Sequence, residues 1–221
     1  FREYLVEQHG VDSCKIEYLP QYAPMQFDTV PQSDEHKDTI DLMFAGNIGA
    51  AQNLRVVLNA AELLRNEKKL RWHIVGDGSE LENLKHFAAE KKLDNVIFYG
   101  RKPSEEMPKY YAMADAMLVT LTADKFISLT LPGKVQTYMA AGKPIIASAT
   151  GEISNVLREA QCGYCVAPDD AQALASAVKD FMGVGKKATL GQNARRYYET
   201  HFLRDEFMDK LENELKSMSE K

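Results

Sequence analysis

In the stretch LTLPGKVQTYMAAGKP, residues 129–144, a lysine follows a Pro-Gly pair where the pattern predicts a helix to begin. Pro132 is expected at the first helical position, where a missing N–H does no harm, with Gly133 and Lys134 directly after it. Unpaired amides at that end, beside a full positive charge, suit a phosphate or a nucleotide diphosphate. A lysine in the first turn opposes the helix dipole, so its presence asks for a reason beyond stability. Gly142 is expected to end this helix and Pro144 to open the next strand.

Three other loops carry candidate chemistry. In FAGNIGAAQNL, residues 44–54, Gly46 and Gly49 would let the backbone approach a ligand around Asn47, and the helix that follows would point its positive end at a phosphate. In VGDGSELENL, Gly76 and Gly78 flank Asp77, with Ser79 and Glu82 spaced as a capping box. Asp77 could bond a sugar hydroxyl or a base, but capping the turn is the favoured reading. In YGRKPSEEM, Arg101 and Lys102 are adjacent cations followed by Pro103 and an expected Ser104 cap; surface charge is the default for such a pair, and its place at the rim favours one of them meeting a phosphate or a nucleobase. No Gly-x-Gly-x-x-Gly occurs, which disfavours a nicotinamide site.

The elements that would position these loops alternate. Strands are predicted in TIDLMFAG, RWHIVGD, NVIFYG, ADAMLVTL, PIIASA and YCVAP. Helices are predicted over Gln52–Asn66, Glu80–Lys92, Ser104–Met113, Pro132–Ala141, Ile153–Ala160 and Ala171–Met182, with two charged amphipathic helices in the tail. Several strands are almost wholly apolar, as strands covered on both faces are. The expected fold is therefore α/β, a Rossmann-like, doubly wound parallel sheet whose ligands bind at the carboxyl ends of the strands. Residues 1–36 read differently: a short helix stopping at Gly10, an extended KIEYLPQYAP and a polar stretch that resembles a linker.

Composition narrows the class. The 221 residues, 45% apolar and with a net charge of −5, can bury a real core and offer no general attraction to nucleic acid or anionic lipid. The three cysteines, Cys14, Cys162 and Cys165, indicate a reducing compartment, and CGYC follows a helix end, where a thiolate gains nothing. No metal site is implied, and the five histidines are scattered without a defensible carboxylate relay. A first residue that is not Met makes a fragment of a longer protein the expectation.

Taken in order, FAGNIGAAQNL, IVGDGSELENLK, NVIFYGRKPSEEMPKYYAMADAMLV, LPGKVQTYMAAGKPIIAS and GYCVAPDDAQALASAV resemble the C-terminal half of retaining GT-B fold glycosyltransferases of family four, the "group 1" enzymes, from about residue 38 to residue 200. The resemblance implies one half of a GT-B fold: residues 1–36 as the interdomain connection, 37–200 as the nucleotide-sugar-binding domain and 201–221 as a C-terminal helix. It implies transfer of a hexosyl or N-acetylhexosaminyl group from a UDP- or GDP-sugar, without metal or other cofactor, to a glycan or lipid-linked acceptor held by an absent N-terminal domain. This half alone would be inactive. A cytoplasmic location follows from the same resemblance, with any membrane contact made by the absent domain.

The departures from the family pattern matter as much. Where many members carry an Arg after the first glycine and a Lys five residues later, this chain has Asn47 and Gln52. Where many carry a Glu-x7-Glu pair whose second Glu holds the ribose, it has Leu129 and Thr137. Some subfamilies use a Pro-x-Lys turn instead, which Pro132–Lys134 matches. The resemblance thus shifts the catalytic phosphate charge onto Lys134, supported by Arg101 or Lys102, with the Gly46–Gly49 and Gly133 amides on the diphosphate and Gln136 and Thr137 as ribose candidates. A nucleotide-sugar epimerase of the same architecture and a non-catalytic nucleotide-binding partner protein are the alternatives.

Overall fold

The computed structural model describes residues 1–30, 38–185 and 187–219. Part of the polar stretch assigned to the connection, residues 31–37, lies outside the described residues. Six strands form one wholly parallel sheet: β1 (Ile40–Ala45), β2 (Leu70–Val75), β3 (Val96–Gly100), β4 (Ala116–Thr120), β5 (Ile145–Ser148) and β6 (Gly163–Val166). Their order is β3-β2-β1-β4-β5-β6, so chain direction across the sheet reverses between β1 and β4. Loops that diverge at such a switch point leave a crevice at the carboxyl ends of the strands.

Alternation along each strand explains the two layers. Leu42, Phe44, Trp72, Ile74, Ala116, Leu118 and Ile146 point to one face, against α2 (Arg55–Leu63), α3 (Leu81–Glu90) and α7 (Ala171–Gly183). Met43, Ala45, Met117, Val119, Ile145 and Ala147 point to the other, against α4 (Met107–Met113), α5 (Gly133–Ala140), α6 (Glu152–Ala160) and α8 (Lys187–His201). Both faces are apolar because both are covered, which is why the strands read as continuous apolar runs. A short α1 (Arg2–His9) ends at left-handed Gly10, and α9 (Arg204–Ser219) closes the described chain.

The connection is more tightly held than its polar sequence suggests. Ala23, Phe27 and Val30 are buried in the core, the Phe27 ring packs tilted against that of Tyr111 with centroids 4.8 Å apart, and Gln26 Nε2 donates to the Ser104 carbonyl and hydroxyl. Ser104 is therefore engaged by the connection and does not cap the turn before α4, whose preceding residue Pro103 has no side chain to offer. Cys162 is buried and its thiol is pushed up to about 12, so half of CGYC is an inert core residue.

Candidate functional site

Helix α5 is pinned to the end of β1 by one buried side chain. Tyr138 donates its hydroxyl to the Ala45 carbonyl at 2.9 Å and accepts from the Ala45 amide at 3.1 Å. Four residues earlier and so on the same helix face stands Lys134. Tyr138 thereby delivers Lys134 to the next residues of the strand: its Nζ sits 4.0 Å from the centre of the Phe44 ring and 3.2 Å from where a β-carbon on Gly46 would be. Gly46 has φ +143°, which few side chains tolerate, and any side chain there would meet the ammonium group.

Lys134 is half-buried as a residue, but its Nζ is shut off from solvent and has no hydrogen-bond partner among the described residues. The Phe44 face is a contact that favours its charge. Burial pulls its pKa down from 10.5 to about 8. In the folded chain Lys134 therefore loses its proton near pH 8, whereas the unfolded chain keeps it to about 10.5. Between those values the unfolded state binds more protons, so this group's contribution to stability rises with pH across that window and is unfavourable below it.

The first loop differs from its expected form. Helix α2 does not start at the turn; a 3-10 turn over Ala50–Gln52 and a left-handed Asn53 (φ 37°) intervene, and α2 begins only at Arg55. The amides of Gly46, Ile48 and Gly49 are already taken, by the Val75 carbonyl, the Asp77 carbonyl and Gln52 Oε1. Asn47 Nδ2 also donates to Gln52 Oε1, at 3.1 Å. No bond among the described residues engages the Asn47 N–H. The helix end at this site is thus that of α5, not α2. Its start is also one residue later than expected, with Pro132 extended (ψ 138°) as the N-cap and Gly133 the first helical residue, and no side chain caps it.

The second loop explains itself by packing. A β-carbon on Gly76 would fall 1.8 Å from the Gly46 carbonyl oxygen, and one on Gly78 would fall 2.3 Å from that of Ile48. Both glycines exist so that the first loop can lie against the second, which it does through Ile48 N to Asp77 O at 2.8 Å and Glu80 N to Ile48 O at 3.0 Å. That last bond also shifts the start of α3, so the expected Ser79–Glu82 capping box does not form: Glu80 is the N-cap and Glu82 pairs with Lys85. Asp77 is exposed and accepts from the Gly78 amide at 2.8 Å.

The remaining candidates scatter. Arg101, exposed, and Lys102, lying over the Tyr110 ring at 5.9 Å, follow β3, which is separated from β1 by β2. Thr137 donates back to the Gly133 carbonyl at 2.9 Å, and Gln136 is buried with its Oε1 unpartnered among the described residues. The scattered histidines include one with a carboxylate after all. His73 Nε2 lies 2.8 Å from Asp41 Oδ1 and its Nδ1 2.9 Å from the Tyr99 hydroxyl, toward the amino end of β1 and away from Gly46. Neighbouring strands bring that pair together, which no spacing in the sequence reveals. Among the described residues no cluster of His, Cys, Asp and Glu could hold a metal ion, and no helix is long and apolar enough to cross a membrane.

Residues 26–197 match the family described as glycosyl transferases group 1. The chain belongs to this family. This glycosyltransferase domain is 32% identical over 197 residues to a Pseudomonas aeruginosa protein named "Probable glycosyltransferase WbjE", covering 84% of the chain and 48% of that relative. It is 28% identical over 141 residues to the GDP-mannose-dependent alpha-(1-6)-phosphatidylinositol monomannoside mannosyltransferase of Mycolicibacterium smegmatis, covering 62% of the chain and 37% of the relative. The Anabaena protein HepE, solved in complex with UDP, superposes with a TM-score of 0.83 at 16% identity, over 98% of the chain and 61% of that protein, and shares the fold. The glycosyltransferase chain spans about half the length of the curated relatives it matches.

Proposed function

We propose that this chain is the donor-binding domain of a retaining glycosyltransferase, and that it holds the diphosphate of a UDP- or GDP-sugar between the Gly46–Gly49 turn and the start of α5. The buried, unpartnered ammonium of Lys134 beside Gly46 carries the reading. Charge builds on the departing diphosphate as the sugar leaves, and a preformed cation in a dry site stabilises that charge more than it stabilises the ground state. Lys134 is the catalytic residue in this account, and the uncapped amides of Gly133 and Lys134 share the load. The Asn47 N–H offers a hydrogen bond where relatives place a charge; Arg101 and Lys102 act from the rim, and Asp77, Gln136 and Thr137 face the nucleoside and sugar. The leaving phosphate assists the acceptor hydroxyl on the same sugar face, so no metal ion is needed. The acceptor, a glycan or a lipid-linked sugar, binds elsewhere in the full-length protein.

A second reading is a nucleotide-binding partner without transferase activity, favoured by the way Asn47 and Gln52 satisfy each other. Thermal denaturation of the chain with millimolar UDP, GDP, ADP, CMP or NAD tests what the two readings share. At a hundred times the dissociation constant a ligand adds about 2.7 kcal/mol, and the expected result is a rise of several degrees with UDP or GDP alone. A shift with NAD instead, or with none of the five, contradicts the proposal. Sugar transfer by the full-length protein then separates enzyme from partner.

A further inference from the structure

The start of α5 is approached by a side chain from outside the βα loops. Oε1 of Gln21, in the connection, lies 2.9 Å from where a β-carbon on Gly133 would be. The backbone on either side of Gln21 is anchored: Lys210 Nζ donates to the Tyr18 carbonyl at 3.0 Å, Tyr22 packs on Phe207 at 5.2 Å, and the Ala23 amide donates to the Tyr198 hydroxyl at 3.3 Å. Gln21 itself is exposed, and no hydrogen bond among the described residues engages its amide. Next to it along α5 is the second, independent sign of a missing ligand, the buried and unpartnered Nζ of Lys134.

We propose that Gln21 is a donor-contacting residue, whose side-chain amide completes the diphosphate site at the start of α5. The inference rests on the donor-binding reading above. A primary amide is suited to the place because it is acceptor and donor at once. In the empty chain its oxygen lies beside Gly133, at a helix start that no side chain caps. When a diphosphate arrives, a half-turn of the amide presents N–H groups to it. A β-carbon on Gly133 would press only on the far end of the exposed Gln21 side chain, which can swing aside, so the contact reports proximity rather than a need for glycine. Since Gln21 belongs to the connection, donor binding would be felt by the segment that leads into the neighbouring domain.

Calorimetric titration of the 221-residue chain with UDP tests this, using wild type, Gln21→Ala and Gln21→Glu. A hydrogen bond to a charged group removed by Gln21→Ala should weaken binding about tenfold. Gln21→Glu should weaken it further, on the order of a hundredfold, because a carboxylate repels the diphosphate and competes for the same amides. Both variants should melt no lower than wild type, and Gln21→Glu slightly higher, since an acidic side chain favours a helix start; a merely structural Gln21 would not separate binding from stability in this way. If wild type binds UDP and both variants match it, the role of Gln21 is overturned and donor binding stands. The same three proteins are titrated with GDP where UDP does not bind; if wild type binds neither, the donor-binding reading falls, and this inference with it.

Discussion

Replacing Lys134 by methionine is expected to remove UDP binding while making the empty chain more stable. Methionine keeps the length of the side chain and its contact with Phe44 but loses the ammonium, so the diphosphate forfeits its one buried positive partner. Charge-assisted contacts in dry sites are worth about 2–4 kcal/mol, so affinity should fall by roughly thirty- to a thousandfold. The same change relieves the empty protein of an unpaired buried charge. The fall in pKa from 10.5 to about 8 bounds that relief at about 3 kcal/mol. For a chain of this size 1 kcal/mol corresponds to roughly 2–4 °C, so an increase of several degrees at pH 7 is expected. The gain should shrink as pH rises above 8, where the wild-type lysine discharges itself. A structural lysine would behave in the opposite way, with stability lost and UDP affinity kept. Denaturation curves and titrations on the same two samples decide it.

The second large effect is expected at a residue assigned no ligand. Gly76→Ala should destabilise the fold and abolish UDP binding together. Its β-carbon would fall 1.8 Å from the Gly46 oxygen, and φ is +145°, so the new methyl group meets both a collision with backbone and a strained conformation. Backbone cannot swing aside as the end of a side chain can, and losses above about 3 kcal/mol are usual for such sites. Gly46 adjoins Lys134 Nζ, so displacing it would disturb the proposed diphosphate site. Gly183→Ala is the control: it ends α7 with open space around it, and there alanine should be neutral or stabilising by about 0.5–1 kcal/mol. Equal Tm values for Gly76→Ala and wild type would show that the second loop does not buttress the first.

The sheet was legible because a strand buried on both faces reads as an apolar run: four strands fall within the predicted stretches, and β2 and β6 begin one residue before theirs. Lys134 stood out for a different reason: a cation in a helix's first turn opposes the dipole, and the structure buries its Nζ without a partner among the described residues. What the chain did not disclose depends on contacts between distant segments. Asn53 in the left-handed region halts the helix expected after the Gly46 turn, transferring the helix-end role to α5. Tyr138 reads as a core aromatic until it is seen to grip Ala45. The paired glycines of the second loop suggest a ligand site and turn out to make room for backbone. Asp41 and His73 meet only through the register of β1 on β2, and Gln21 reaches α5 only because the connection folds back on the domain.

The central claim, that Lys134 is held as an unpaired cation for the donor's diphosphate, is tested most directly by titrating that one amine. Carbon-13 NMR of lysine methylenes, with Lys134→Met to assign the signal, would follow its ionisation with and without saturating UDP. A midpoint near pH 8 is expected in the empty chain. With UDP bound the midpoint should rise by about one to two units, and UDP affinity should fall roughly tenfold per pH unit between the two midpoints. A Lys134 midpoint that UDP leaves where it was, in a chain that UDP nonetheless saturates, would contradict it.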